Sequence, residues 1–232
     1  LSNIGLQAEF GYSVDSAELS LANFLINLDD TTITGGGSLK TGDILTSRFK
    51  IVMDKLNLDR YLPAPAKGGA IESDQDATEK APPPDVSFLK TMDIEGTTEI
   101  GQLQANQVVL ENIKTELLIR RGQLQIRPLL ADLYDGTIRT ELILNANPKV
   151  PEFRLQQRIN GVQVGPLLTA LTDSDVLSGA TDFKASIRGQ SLESATIQKT
   201  LNGEGRFLFR DGAVKGINVA QLIRDAQARL KG

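Results

Sequence analysis

Between Ile113 and Asn145 three runs largely alternate apolar and polar residues, a pattern that only an extended backbone can turn into two distinct faces. Ile113, Thr115, Leu117 and Ile119 fall on one side, with Lys114, Glu116 and Arg120 mostly opposite. Past Gly122, Leu124 and Ile126 alternate with Gln123, Gln125 and Arg127. Past Asp135-Gly136, Ile138, Thr140, Leu142 and Leu144 alternate with Arg139, Glu141 and Asn145. Period-two runs separated by turn residues predict an antiparallel meander with one apolar face and one wet face.

The same style extends to both ends. Ile4, Leu6, Ala8 and Phe10 alternate with polar or glycine positions, Leu19, Leu21 and Phe24 continue, and Ile44 to Leu58 is again strand-like. Thr31 to Thr34 is β-branched, and Gly35-Gly36-Gly37 is expected to break that strand. Phe207 and Phe209 alternate with Leu208 and Arg210. Asp211-Gly212 then reads as a type I′ hairpin turn, with Ala213 to Ile217 returning.

Helical patterns are short. One turn is predicted near Leu58–Leu62 and one over Val86–Met92, with short helices at 190–200 and around Pro166–Leu171. Residues 218–231 have the best helical pattern: Asn218 as N-cap, Val219, Leu222, Ile223, Ala226 and Leu230 on one face, and Asp225 with Arg229 four apart. A loose repeat, KLNLDRYL (55–62), GVQVGPLL (161–168) and GINVAQLI (216–223), fits a recurring strand-to-helix corner.

Residues 63–85 hold five prolines, acids and small residues, with Ile71 as the one large aliphatic. Such a stretch cannot bury enough apolar area to offset its ordering entropy. The chain therefore divides into an N-terminal β segment (1–62) that continues an upstream sheet, a Pro/acidic linker (63–85) and a β-rich C-terminal domain (86–232). The fold class is α+β and β-rich, with long antiparallel strands in a curved sheet able to form a groove, and a few short helices including a C-terminal one.

Composition removes whole classes of chemistry. With no Cys and no His there are no thiol nucleophiles, imidazole bases or thiolate and imidazole metal sites. A net charge of −4, few aromatics and scattered basic residues speak against nucleic acid. Ser87-Phe88-Leu89-Lys90 and Lys40-Thr41-Gly42 imitate the motifs of penicillin-binding enzymes, but their order is reversed and no Ser-Asp-Asn lies between them. Asp173, Asp175 and Ser178-Gly179 lack the remaining ligands of a calcium loop. Neither Gly35-Gly36-Gly37 nor Gly203-Glu204-Gly205 leads into a phosphate-loop helix, so both read as bends or bulges. We therefore expect no enzyme, no catalytic residue, no metal site and no cofactor.

Two stretches also resemble a known family. LNGEGRFLFRDGAVKGINV (201–219) resembles the signature near the C-terminus of the AsmA family: L-N-G-x-G, alternating apolar residues, D-G-A, an aliphatic residue, then G, I and N. RINGVQVGPLLTALTDSDVLSGATDFKASIRG (158–189) resembles the segment that precedes it. The likeness covers roughly 100–232, with 1–62 matching in general style. It implies a non-enzymatic envelope protein of a Gram-negative bacterium, related to chorein-type bridge proteins. Such a protein would be periplasmic, anchored in the inner membrane by a segment upstream of Leu1, and would serve phospholipid transport between the inner and outer membranes and outer-membrane homeostasis. Expected partners are phospholipid acyl chains, the inner membrane and envelope proteins.

The residues themselves leave two readings of the apolar face. It can be an ordinary core packed under helices, or part of it can lie open as a groove for acyl chains. If a groove exists, alternation nominates Ile113, Leu117, Ile119, Leu124, Ile126, Ile138, Leu142 and Leu144. The alternative function is a scaffold that supports outer-membrane protein assembly through exposed sheet edges and carries no lipid.

Overall fold

Among the described residues eleven strands join a single sheet in which spatial order follows chain order, with β1 and β11 at its two edges. A computed structural model describes residues 4–61, 84–172 and 174–214. The strands are β1 (Ile4–Ser13), β2 (Glu18–Leu28), β3 (Thr31–Lys40), β4 (Leu45–Asn57), β5 (Met92–Ala105), β6 (Val108–Arg120), β7 (Gln123–Leu133), β8 (Gly136–Asn145), β9 (Glu152–Gln163), β10 (Leu177–Gln190) and β11 (Asn202–Val214). Two short helices, α1 (Val164–Thr172) and α2 (Ser194–Thr200), and two 3-10 turns, Leu58–Arg60 and Ser87–Thr91, complete it.

Neighbouring strands run antiparallel except β4 and β5, which are parallel. Parallel neighbours need a crossover, and residues 58–91 supply it. Asn106-Gln107, Arg121-Gly122 and Tyr134-Asp135 close three hairpins with positive φ at both central residues. That is the turn geometry whose twist matches the flanking strands. The third turn is thus one residue earlier than Asp135-Gly136, because Gly136 already belongs to β8.

Register shifts interrupt several strand pairs, among them the stretch of β7 around Pro128, where the missing N–H makes a bulge the tolerable solution. Bulges bend the strands they occupy. The resulting curvature brings α1, which follows β9, against β6 as well as β10.

Two expectations need correction. Asp211-Gly212 does not turn a hairpin: β11 runs through it, pairing Arg210 with Ala180 and Ala213 with Ser178. Asp211 and Gly212 bulge together opposite Gly179, and the positive φ of Asp211 serves the bulge instead of a turn. Gly35-Gly36-Gly37 does not end its strand either; all three lie inside β3 and pair with β4, while on the β2 side Gly35 and Gly37 pair and Gly36 sits at a register shift. The proposed helix 218–231 and nearly all of the 63–85 linker lie outside the described residues. The strand-to-helix corners at 55–62 and 161–168 are seen as β4 into Leu58–Arg60 and β9 into α1.

The polar face carries an ion network at the β4–β5–β6 junction. Asp93 accepts from Arg120 at 3.1 Å and pairs with Arg48 at 2.9 Å, and both arginines also approach Glu95. Arg120 first, and Arg48 after it, hold the Asp93 carboxyl below the usual carboxylate range. A folded value below the unfolded one, about 3.9, means the contribution is complete above that pH and lost as pH falls through the folded value. The side chains are 30–48% exposed, so the contribution is about 1 kcal/mol or less. Asp93→Asn should lose that small stability at neutral pH and show a shallower acid limb than the parent. Thermal unfolding followed between about pH 6 and pH 3 reads the difference.

Candidate functional site

Residues paired in register share a face, so a row of side chains can be followed from strand to strand. One row crosses the whole sheet: Phe10, Leu21, Gly37, Phe49, Gly96, Leu117, Ile126, Leu142, Leu155, Ile187 and Gly203. Every member is apolar or glycine. A second row beside it runs from Tyr12 through Leu19, Leu39, Ser47, Ile94, Ile119, Leu124, Leu144 and Phe153 to Gly189, with Ser47 its one polar member. The sheet therefore presents one apolar face without a break at the β4–β5 junction.

On its other flank lies a mixed row. Thr98, Thr115, Leu129, Thr140 and Gln157 follow one another there, and the Thr140 hydroxyl donates to Gln157 Oε1 at 2.8 Å. Beyond it the face turns apolar again, with Ile100 opposite Ile113 and with Ile138, Ile159, Phe183 and Phe207 in line. The floor is thus two apolar strips with a mixed row between them, in which Leu129 separates Thr98 and Thr115 from Thr140 and Gln157.

Glycines shape this floor through the rings beside them. A Cβ on Gly96 would fall among the outer ring carbons of Phe49, one on Gly189 would lie 2.7 Å from Phe153 Cζ, and one on Gly35 would lie 2.8 Å from Phe24 Cζ. Each ring reaches sideways across the glycine of the adjacent strand instead of standing off the sheet. The ring packs on bare backbone, and the surface there stays low.

The eight alternation candidates all lie on this face. Their surroundings differ. Leu89, 1% exposed, is the plug of a small core: with Val86 and Met92 it covers Ile119, Leu117, Leu124 and Leu144 at the β6–β7 end. Ile113 and Ile119 are buried, while Ile126, Ile138 and Leu142 are half-buried and lie outside that cluster. Leu89 itself carried no sequence signal beyond being an apolar residue in a short turn. The outer strands are open: Ile4, Leu6, Phe10 and Tyr12 on β1 are 64–76% exposed, and Phe207 on β11 is 65% exposed.

The wet face has a different character. Arg139, Arg158, Lys184 and Arg206 stand in register across β8 to β11. Among the described residues no group of three or more carboxylates is placed to hold a metal. The carboxylates whose pKa departs from the ordinary value are held by structural partners. Asp59, for example, accepts from the Gln107 and Asn106 backbone N–H groups and from Gln104, which lowers its pKa.

Comparison with known proteins fixes the family. The AsmA family model matches residues 1–232, that is, the full chain. The chain belongs to the AsmA family. It is also 22% identical over 244 aligned positions to Protein AsmA of Escherichia coli K12, an alignment covering 98% of this chain and 40% of that relative. The chain thus spans less than half the length of the curated AsmA protein it matches. No solved structure matches.

Proposed function

We propose that this AsmA-family chain forms part of a non-enzymatic lipid path in the envelope of a Gram-negative bacterium, with acyl chains lying on the apolar face of the sheet. The observation that supports this is the row from Phe10 to Gly203: eleven strands without one polar member. A monomer rarely leaves so large a contiguous apolar surface without an occupant. Acyl chains gain about 0.8 kcal/mol per buried methylene on such a surface and require no convergent polar groups. Headgroups would stay in water at the rim. The family membership supports a periplasmic setting with an inner-membrane anchor elsewhere in the full protein, and transport between the inner and outer membranes.

Native mass spectrometry of protein purified without delipidation, followed by organic extraction, tests this. The parent should carry stoichiometric phospholipid. Ile126→Asp with Leu142→Asp should lose at least about tenfold of it, since a carboxylate in the strip must be desolvated by any acyl chain beside it. Because central charges can also disturb folding, Leu6→Asp with Phe10→Asp is the second variant. Both side chains are more than two-thirds exposed, so the fold should survive while lipid occupancy falls. A clean apo mass that takes up no added phospholipid would instead favour the scaffold reading, in which the open β1 and β11 edges accept partner strands.

A further inference from the structure

The opposite, polar face holds a second arrangement that acyl chains cannot explain. Arg154 on β9 and Arg188 on β10 are direct register partners, so their guanidiniums leave neighbouring strands on this face. Like charges opposite each other destabilise a sheet unless something neutralises them. Neither makes a hydrogen bond or ion pair with any described residue, whereas Arg48 and Arg120 on the same face are both matched to Asp93 and Glu95. The pair opens onto a cleft of about 730 Å³, bounded by Gln123 and Asn145 on one side and by Gln190 and Thr200 on the other. Glu152 also lines it, and its carboxylate accepts from Gln190 Nε2 at 3.2 Å. The register row Arg139, Arg158, Lys184 and Arg206 lies four residues along β9 and β10, adding positive potential to one side of the cleft.

We infer that this cleft is an anion site for a phosphate ester that carries neighbouring hydroxyls. Guanidinium forks match phosphate oxygens in pairs, and two in register can share one phosphate. The amides of Gln123 and Asn145 on one side and of Gln190 on the other supply donors and acceptors for a polyol, and the volume falls in the range of small-molecule sites. Phosphorylated glycerol or sugar has this chemistry, either free or as the headgroup of a lipid.

The test uses the 232-residue chain with two probes. Glycerol 3-phosphate is titrated calorimetrically, and phosphatidylcholine vesicles with and without phosphatidylglycerol are assayed by co-sedimentation. Saturable binding of the soluble ester identifies a free ligand, and binding to phosphatidylglycerol vesicles alone identifies a lipid-borne one. In either arm Arg154→Gln with Arg188→Gln should weaken binding at least about tenfold. The charge-matched variant Lys184→Gln with Arg206→Gln, outside the cleft, should weaken it no more than about threefold. All four side chains are exposed, so the fold should tolerate both variants. Absence of binding to either probe, or equal losses in the two variants, would overturn the site. Leu6→Asp with Phe10→Asp, on exposed positions of β1, should leave it intact, so failure here is separable from failure of the apolar strip.

Discussion

Truncating Leu89 to alanine should destabilise the protein by about 3 kcal/mol, within the range of buried Leu→Ala changes. The side chain is 1% exposed and fills the space between the Ser87–Thr91 turn and the β6–β8 floor. Its backbone ties the turn down as well: Leu89 N–H donates to Val86 O at 3.2 Å, and Gly122 N–H donates to Leu89 O at 3.2 Å. Ile119, Leu124 and Leu144 sit on paired strands, so the floor cannot rise to fill the void. At about 2–4 °C per kcal/mol for a chain of this size, the midpoint should fall by about 6–12 °C. Phe88→Ala next door is the control. That ring is 49% exposed, and its loss should cost about 0.5 kcal/mol or less. Equal losses in the two variants would show that Leu89 does not plug this end.

Gly96→Val should cost about 2–3 kcal/mol, for a different reason. The new side chain would occupy the space in which the outer carbons of the Phe49 ring already lie. The ring cannot simply slide along its own strand, because Gly37 on the far side brings its own backbone against Phe49. It must lift. Phe49→Ala alone is destabilising, since a large apolar side chain is lost. In the double variant Gly96→Val with Phe49→Ala, however, the valine enters vacated space. The double-mutant cycle should therefore return at least about 1 kcal/mol of favourable coupling between the two changes. Strict additivity would mean that ring and glycine are not in contact. The variant also has a functional reading. A lifted ring raises the floor in the middle of the first apolar row, and lipid occupancy in extracts of Gly96→Val should fall together with stability.

Much of this molecule was legible because burial on one face forces alternation. Leu117, Leu124, Ile126, Leu142 and Leu144 could be assigned to one side from period two alone, and register then set them together. The short helices followed from local pattern, as in Pro166–Leu171 within α1. What escaped has no local signature. Asp211-Gly212 favours positive φ, and both a hairpin turn and a bulge use that; the choice was made by Gly179 on the neighbouring strand. Gly35 to Gly37 looked like a break because what lies against them comes from neighbouring strands: the Phe24 ring of β2 over Gly35, and β2 and β4 backbone beside Gly36 and Gly37. The parallel β4–β5 step depends on a partner 47 residues away, as between Leu45 and Met92. Arg154 and Arg188 are 34 residues apart, and nothing in either neighbourhood marks them as a pair.

The two edges of the sheet have a consequence for scale. A barrel fixes its own circumference once its strands are counted, but a sheet that never closes has no such limit. Each added strand advances the floor by about 4.8 Å and leaves the cross-section as it was. Eleven strands make ten steps, or about 48 Å measured along the sheet. In such a design span is a quantity set by the number of hairpins, and evolution can lengthen or shorten the reach by duplicating or deleting them without redesigning what the floor is made of.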